Sequence, residues 1–146
     1  MPGHQKETVE RIDTLLDSTL ESVDTGERMV LALAERMGFE EDALHQLGMA
    51  VRETMVNAVV HGNKYSAIKK VHLVADPDAG GLRISIGDQG DGFDPRGVPD
   101  PLARENLLRQ SGRGLLLMEA FVDKLEILRA EPKGTEVVMV KYLARQ

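Results

Sequence analysis

Glu53 and Asn57 stand four residues apart, and on a helix that spacing puts a carboxylate and an amide one turn apart on one face. On a surface helix the pair would be an ordinary exposed contact; set among apolar neighbours it becomes the polar floor of a pocket. A second group, Asp88, Gly90, Gly92 and Phe93, follows a stretch in which Leu82, Ile84 and Ile86 alternate with Arg83 and Ser85. Asp88 continues the parity of the apolar positions, so its carboxylate is aimed at the buried side, where it must find a donor or suffer desolvation. A turn cap would supply that donor, and so would the exocyclic amino group of a purine, with Gly90 and Gly92 letting a flat ring approach the backbone. A third group, Ser111, Gly112, Arg113 and Gly114, runs into the apolar stretch 115–121. A helix starting there presents free N–H groups to an anion such as a phosphate, although a plain tight turn is equally compatible with the four residues alone. Residues 88–114 therefore read as a loop that holds a nucleotide, with the reaction chemistry on the helix that ends near residue 60.

The elements that must position these groups follow from periodicity. Residues 8–17 read as an edge strand, and the Ser-, Thr- and Asp-rich residues 18–24 as a loop. A helix is expected from about residue 25, with Val30, Leu31, Leu33, Ala34 and Met37 at helical spacing and Gly38 as its C-cap. Glu40, Glu41 and Asp42 place acids at the N-terminal end of a second helix over about 41–60. There Leu44, Leu47, Val51, Met55 and Ala58 form a stripe about 60° wide to either side. The far side holds Met49, Ala50, Glu53, Val56, Asn57 and Val60, so the second half of this helix is apolar nearly all round. His61 reads as a capping residue, and Gly62 or Asn63 as the left-handed residue that stops the helix. Strands are expected at 70–75, 82–87, 122–129 and 135–143, with a hairpin turn over 76–81 and a connection over 130–134. His72 falls on a sheet face without a chemical role. Residues 94–112 carry Pro95, Pro99 and Pro101 and form a lid, with one or two helical turns at 103–109.

Hairpin connections dominate this order, which predicts a two-layer α/β (α+β) sandwich with a mixed, mainly antiparallel sheet and helices on one face. The 146 residues make a single domain, with a core over about 8–143. There is no cysteine, which excludes a disulfide framework or a thiolate zinc site, and no signal peptide or spanning segment is evident, so a cytoplasmic protein is expected. Eighteen Lys and Arg against 24 Asp and Glu give a net charge of −6, and with 3% aromatic residues and no Trp this argues against nucleic acid and anionic membranes as partners. The phosphate-loop pattern and the zinc-protease H-E-x-x-H are absent, and Gly112-Arg113-Gly114 lacks the third glycine of a dinucleotide fingerprint. A calcium loop starting at Asp88 would meet Gly90 and Gly92 at ligand positions and Pro99 where its glutamate belongs.

Four motifs in register resemble the GHKL (Bergerat-fold) ATPase superfamily, and its anti-sigma-factor serine/threonine kinase branch in particular. They are Glu53-x-x-x-Asn57 with Ala58 and His61-Gly62 following, Asp88-x-Gly90-x-Gly92-Phe93, Gly112-x-Gly114-Leu115-x-Leu117-Met118, and Gly134-Thr135. The resemblance implies ATP bound with Mg2+. Asp88 would accept from the adenine amino group, Gly90, Gly92 and Phe93 would shape the base pocket, and Thr135 would lie near the adenine. Ser111, Gly112, Arg113, Gly114 and Leu115 would face the phosphates, Asn57 would hold the magnesium, and Glu53 would act as general base on the attacking hydroxyl. The partners implied are a sigma factor and an antagonist protein phosphorylated on serine, with a homodimer allowed. Two alternatives stay open: a nucleotide-dependent binding module that only sequesters a partner, and a detached histidine-kinase catalytic domain. Against the latter, neither His4 nor His45 sits in a phosphoacceptor helix. Asn63 departs from the aromatic residue often seen after the glycine of this motif.

Overall fold

A computed structural model describes residues 10–78, 80–90 and 114–143. Five strands form one wholly antiparallel sheet in the order β1-β2-β3-β5-β4: β1 (Ile12–Asp17), β2 (Lys70–Asp78), β3 (Gly81–Gly87), β4 (Lys124–Arg129) and β5 (Thr135–Tyr142). Three α-helices, α1 (Leu20–Met37), α2 (Glu41–Val56) and α3 (Gly114–Phe121), complete the described chain with a π-helical turn at Asn57–Gly62. The expected α/β sandwich is observed.

Alternation along the strands explains the layering. Val71, Leu73, Ala75, Leu82, Ile84, Ile86 and Met139 point to the helices and join Val23, Val30, Leu33, Leu47, Val51 and Met55 in one core. The opposite face carries Asp13, Leu15, His72, Arg83 and Glu136, which the register sets in cross-strand rows. His72 lies there as expected, its Nε2 2.6 Å from Asp13 Oδ1; this hydrogen bond is the main reason the Asp13 carboxyl is held below its usual range. Leu47 is fully buried between the layers, so Leu47→Ala is expected to cost about 3 kcal/mol of stability in a denaturant titration.

Several element boundaries differ from those expected. The first helix begins at Leu20, because Thr19 is an N-cap: its hydroxyl accepts from Ser22 N at 3.2 Å, and Glu21 lies in the first turn. The Ser, Thr and Asp content that suggested a loop over 18–24 is thus helix-start chemistry. Gly26 faces Met55, and a Cβ there would come within 3.2 Å of its methyl, so this glycine lets α1 and α2 approach closely. Gly38 ends α1 at φ +99° as expected, its N–H bonded to Ala34 O and Glu35 O. Strand β1 is an edge strand starting at Ile12. Strand β2 runs on to Asp78, into the turn expected over 76–81; Pro77 pairs with Leu82, while β1 ends its pairing at Ala75, so the proline blocks no ladder on that side. Residues 122 and 123 connect α3 to β4 rather than opening the strand.

The second helix is α-helical only to Val56. Asn63 N then bonds Ala58 O at 2.8 Å, five residues back, which is the π pattern. Neither Gly62 nor Asn63 is left-handed: Asn63 has φ −82°, and the positive angles fall on Lys64 (50°) and Tyr65 (59°). The wider turn carries the chain one residue further before it leaves the helix, and so turns Asn63 inward.

Candidate nucleotide and phosphoryl-transfer site

Glu53 and Asn57 occupy the last turn of α2 and the first residue of the π turn, both half-buried, with Asn57 N donating to Glu53 O and Thr54 O. The far side of the helix is covered, as its apolar composition required: α3 packs across it, and Ala50 has no exposed surface. The Glu53 carboxylate reaches the first residue of α3. A Cβ added to Gly114 would lie 2.0 Å from Glu53 Oε1, so a side chain there would push the Glu53 carboxylate out of this position. A negative charge is also favoured at that N-terminus.

A second carboxylate site lies at the far end of the π turn, where Gly62 meets Asp88. Asp88 is 9% exposed, and its Oδ1 accepts from Gly90 N at 2.9 Å and Thr135 N at 3.2 Å, while Asp88 N donates to Thr135 O at 2.8 Å. Its Oδ2 has no donor among the described residues and lies against Gly62. Burial pushes the Asp88 carboxyl above its usual range, opposed by the two backbone N–H groups and by the charge of Lys69. Three glycines close around it. A Cβ would meet Asp88 Oδ2 at 2.3 Å from Gly62, Asp88 O at 2.0 Å from Gly134, and Gly62 O at 2.3 Å from Gly90. Gly134 also has φ +114°. Gly134→Ala is therefore expected to lose at least about 2 kcal/mol of stability in thermal unfolding, from the clash and the left-handed backbone together.

The structure thus brings Asp88, Gly90 and Thr135 into one cluster and Glu53, Gly114 and Leu115 into another, with Asn57 between them along the helix. Thr135 contributes its backbone, clasping Asp88 from β5. Gly92, Phe93, Ser111, Gly112, Arg113 and the lid over 94–112 lie outside the described residues. Three contributors escaped the sequence reading. Gly62 was read as a helix stop and instead makes room for Asp88. Gly134, noted only within a motif, does the same from the other side. Asn63 is 1% exposed and accepts from Gln89 N at 2.7 Å.

The profile of the histidine kinase-like ATPase domain matches residues 16–141. The chain belongs to that family. Among relatives of this ATPase domain, "Serine-protein kinase RsbW" of Staphylococcus epidermidis is 28% identical over 146 residues, covering 95% of this chain and 91% of the relative. "Serine-protein kinase RsbW" of Bacillus subtilis strain 168 is 32% identical over 117 residues, covering 76% and 72%. "Anti-sigma F factor" of Oceanobacillus iheyensis is 31% identical over 106 residues, covering 71% and 73%. A crystal structure of the RsbU and RsbW domains of a Mycobacterium tuberculosis protein superposes with a TM-score of 0.68 at 21% identity. It covers 94% of this chain but 33% of its own, and it supports the fold alone.

Proposed function

We propose that this domain is an ATP- and magnesium-dependent protein serine/threonine kinase that acts in the cytoplasm as an anti-sigma factor. In this reading it phosphorylates a serine on an antagonist protein and binds a sigma factor, so that phosphorylation of the antagonist decides which partner is held. The names of its relatives support the kinase and anti-sigma roles. The observation that carries the reading is a pair of carboxylates set against the same helix and its π turn: Asp88, buried, clasped by backbone and packed on Gly62, and Glu53, set against the start of α3. The first suits a base, the second a reacting hydroxyl.

The residues present fit a nucleotide. Oδ2 of Asp88 lacks a donor among the described residues, and an exocyclic amino group would supply one. Gly62, Gly90 and Gly134 leave no side chain between that carboxylate and its surroundings. Among the described residues no three His, Asp or Glu side chains converge on one point. A magnesium ion here would draw on the Asn57 amide oxygen together with phosphate and water. Bound ATP and magnesium would supply the transferable phosphoryl group and neutralise its charge. The chain's own part is to orient and to move a proton. Asp88 fixes the base, Asn57 holds the metal in place, Gly114 and Leu115 present the N-terminus of α3 toward the phosphates, and Glu53 accepts the proton of the attacking serine hydroxyl.

The direct test is to incubate the chain with γ-labelled ATP, magnesium and candidate antagonist proteins. Acid-stable label on a serine of the antagonist is expected. Nucleotide binding with no label on any antagonist would leave a sequestering module, and acid-labile label on histidine would point to a histidine kinase.

A further inference from the structure

Asn63 stands immediately after the π turn, and every hydrogen-bonding group it has is used. Its Nδ2 donates to Ser18 Oγ at 2.9 Å and to Lys70 O at 3.0 Å, and its Oδ1 accepts from Gln89 N at 2.7 Å. Its own N–H goes to Ala58 O, and its carbonyl accepts from Ser66 N at 3.0 Å. Ser18 Oγ in turn donates to Lys69 O at 2.6 Å. One buried amide therefore ties the end of β1, the start of β2 and the turn after β3 to the end of the helix.

The third of these ties concerns function. Gln89 lies between Asp88 and Gly90, and the residue is held at two points: its backbone N–H donates to Asn63 Oδ1, and its side-chain Oε1 accepts from Lys70 N at 2.6 Å. The Asn63 bond fixes the Asp88–Gln89 peptide, and together with the side-chain tie it holds residue 89 so that the next peptide presents Gly90 N to Asp88 Oδ1, the bond that orients the carboxylate. Gly62, the residue before Asn63, is packed against Oδ2 and against Gly90. The π turn, Asn63 and the Asp88 turn thus form one unit. We infer that Asn63 is a positioning residue for base recognition: it holds the Gln89 peptide, and through it the Asp88 carboxylate, in the orientation that selects a purine bearing an exocyclic amino group. This inference rests on the nucleotide reading above.

The test compares the affinities of the full chain for adenosine triphosphate and inosine triphosphate, which lacks the amino group, by calorimetry. In Asn63→Ala the ATP-over-inosine preference is expected to fall about tenfold, the usual consequence of losing a buried hydrogen bond that orients a recognition group. In an Asp88→Asn background the same substitution should leave the preference where it was, because the two act through one contact. Asn63→Asp keeps the acceptor for Gln89 N–H while losing both donors, so it should melt at a lower temperature yet retain the wild-type preference. A purely structural Asn63 would lower the melting temperature in both variants and leave the preference untouched in both, which overturns the inference. So would a loss of preference of equal size with and without Asp88. Should Asn63→Ala fail to fold, the Gln89 amide of the wild-type chain decides: slow hydrogen exchange there without nucleotide is expected, and rapid exchange sinks the idea. Failure of the nucleotide reading looks different, because wild-type chain would then bind neither triphosphate, or Asp88→Asn would leave its preference unchanged.

Discussion

Asp88→Asn is expected to weaken ATP binding about tenfold to a hundredfold while leaving the fold as stable as before, or more so, at neutral pH. Both halves follow from the same contacts. The asparagine oxygen can still accept from Gly90 N and Thr135 N, so the backbone clasp survives. What disappears is the charged acceptor for an amino group, along with the desolvated charge that raises the carboxyl above its usual range. Because the folded value lies above the unfolded one, the native state binds more protons between them, and stability falls as pH rises through that window. Nucleotide affinity runs the other way in wild type: it should drop as pH falls through the raised value and the carboxylate gains a proton. Calorimetric affinity and thermal unfolding across acid pH, in both proteins, measure the two slopes. Asp88→Asn should flatten each of them. Unchanged ATP affinity in the variant would remove Asp88 from the base pocket.

The second large effect concerns Glu53. Glu53→Gln and Glu53→Ala are expected to slow phosphoryl transfer to the serine of the antagonist by about 10²- to 10⁴-fold, the range for a lost general base, with ATP affinity essentially kept. Glutamine preserves the packing against Gly114, so a loss there isolates the proton-accepting role from shape. Stability should change little, by about 0.3–1 kcal/mol, if the carboxylate also favours the start of α3. Single-turnover transfer rates set beside nucleotide dissociation constants separate these terms. Undiminished transfer in both variants would leave Glu53 as nothing more than an acid at a helix end.

How far these groups could be read from the chain depended on whether their signal was local. Glu53 and Asn57 stood out because one helix could not be both amphipathic and apolar on its far side, and α3 proves to be what covers that side. Asp88 was legible from strand parity alone, and Gly38 from its place after a periodic run. The start of α1 was not, since Ser and Thr favour helix caps and loops for the same reason, a side-chain oxygen that bonds nearby backbone, and only the Thr19–Ser22 bond tells them apart. The π turn leaves no mark in residue types, because it is a shift of backbone bonding by one residue. Asn63 depends on Ser18, Lys70 and Gln89, which are 45, 7 and 26 positions away, and nothing near it in sequence says that its amide is buried.

The π turn also makes the site sensitive to chain length. Between Asn57 and Gly62 the backbone holds one residue more than an α-helix would need for the same bonding, and the surplus is what sets Gly62 against Asp88 and directs Asn63 toward Gln89. Removing a single residue from this segment would restore ordinary helical bonding and swing everything after it by about 100°. A one-residue deletion within 57–62 is therefore expected to disturb the Asp88 turn more than a substitution at an exposed position there.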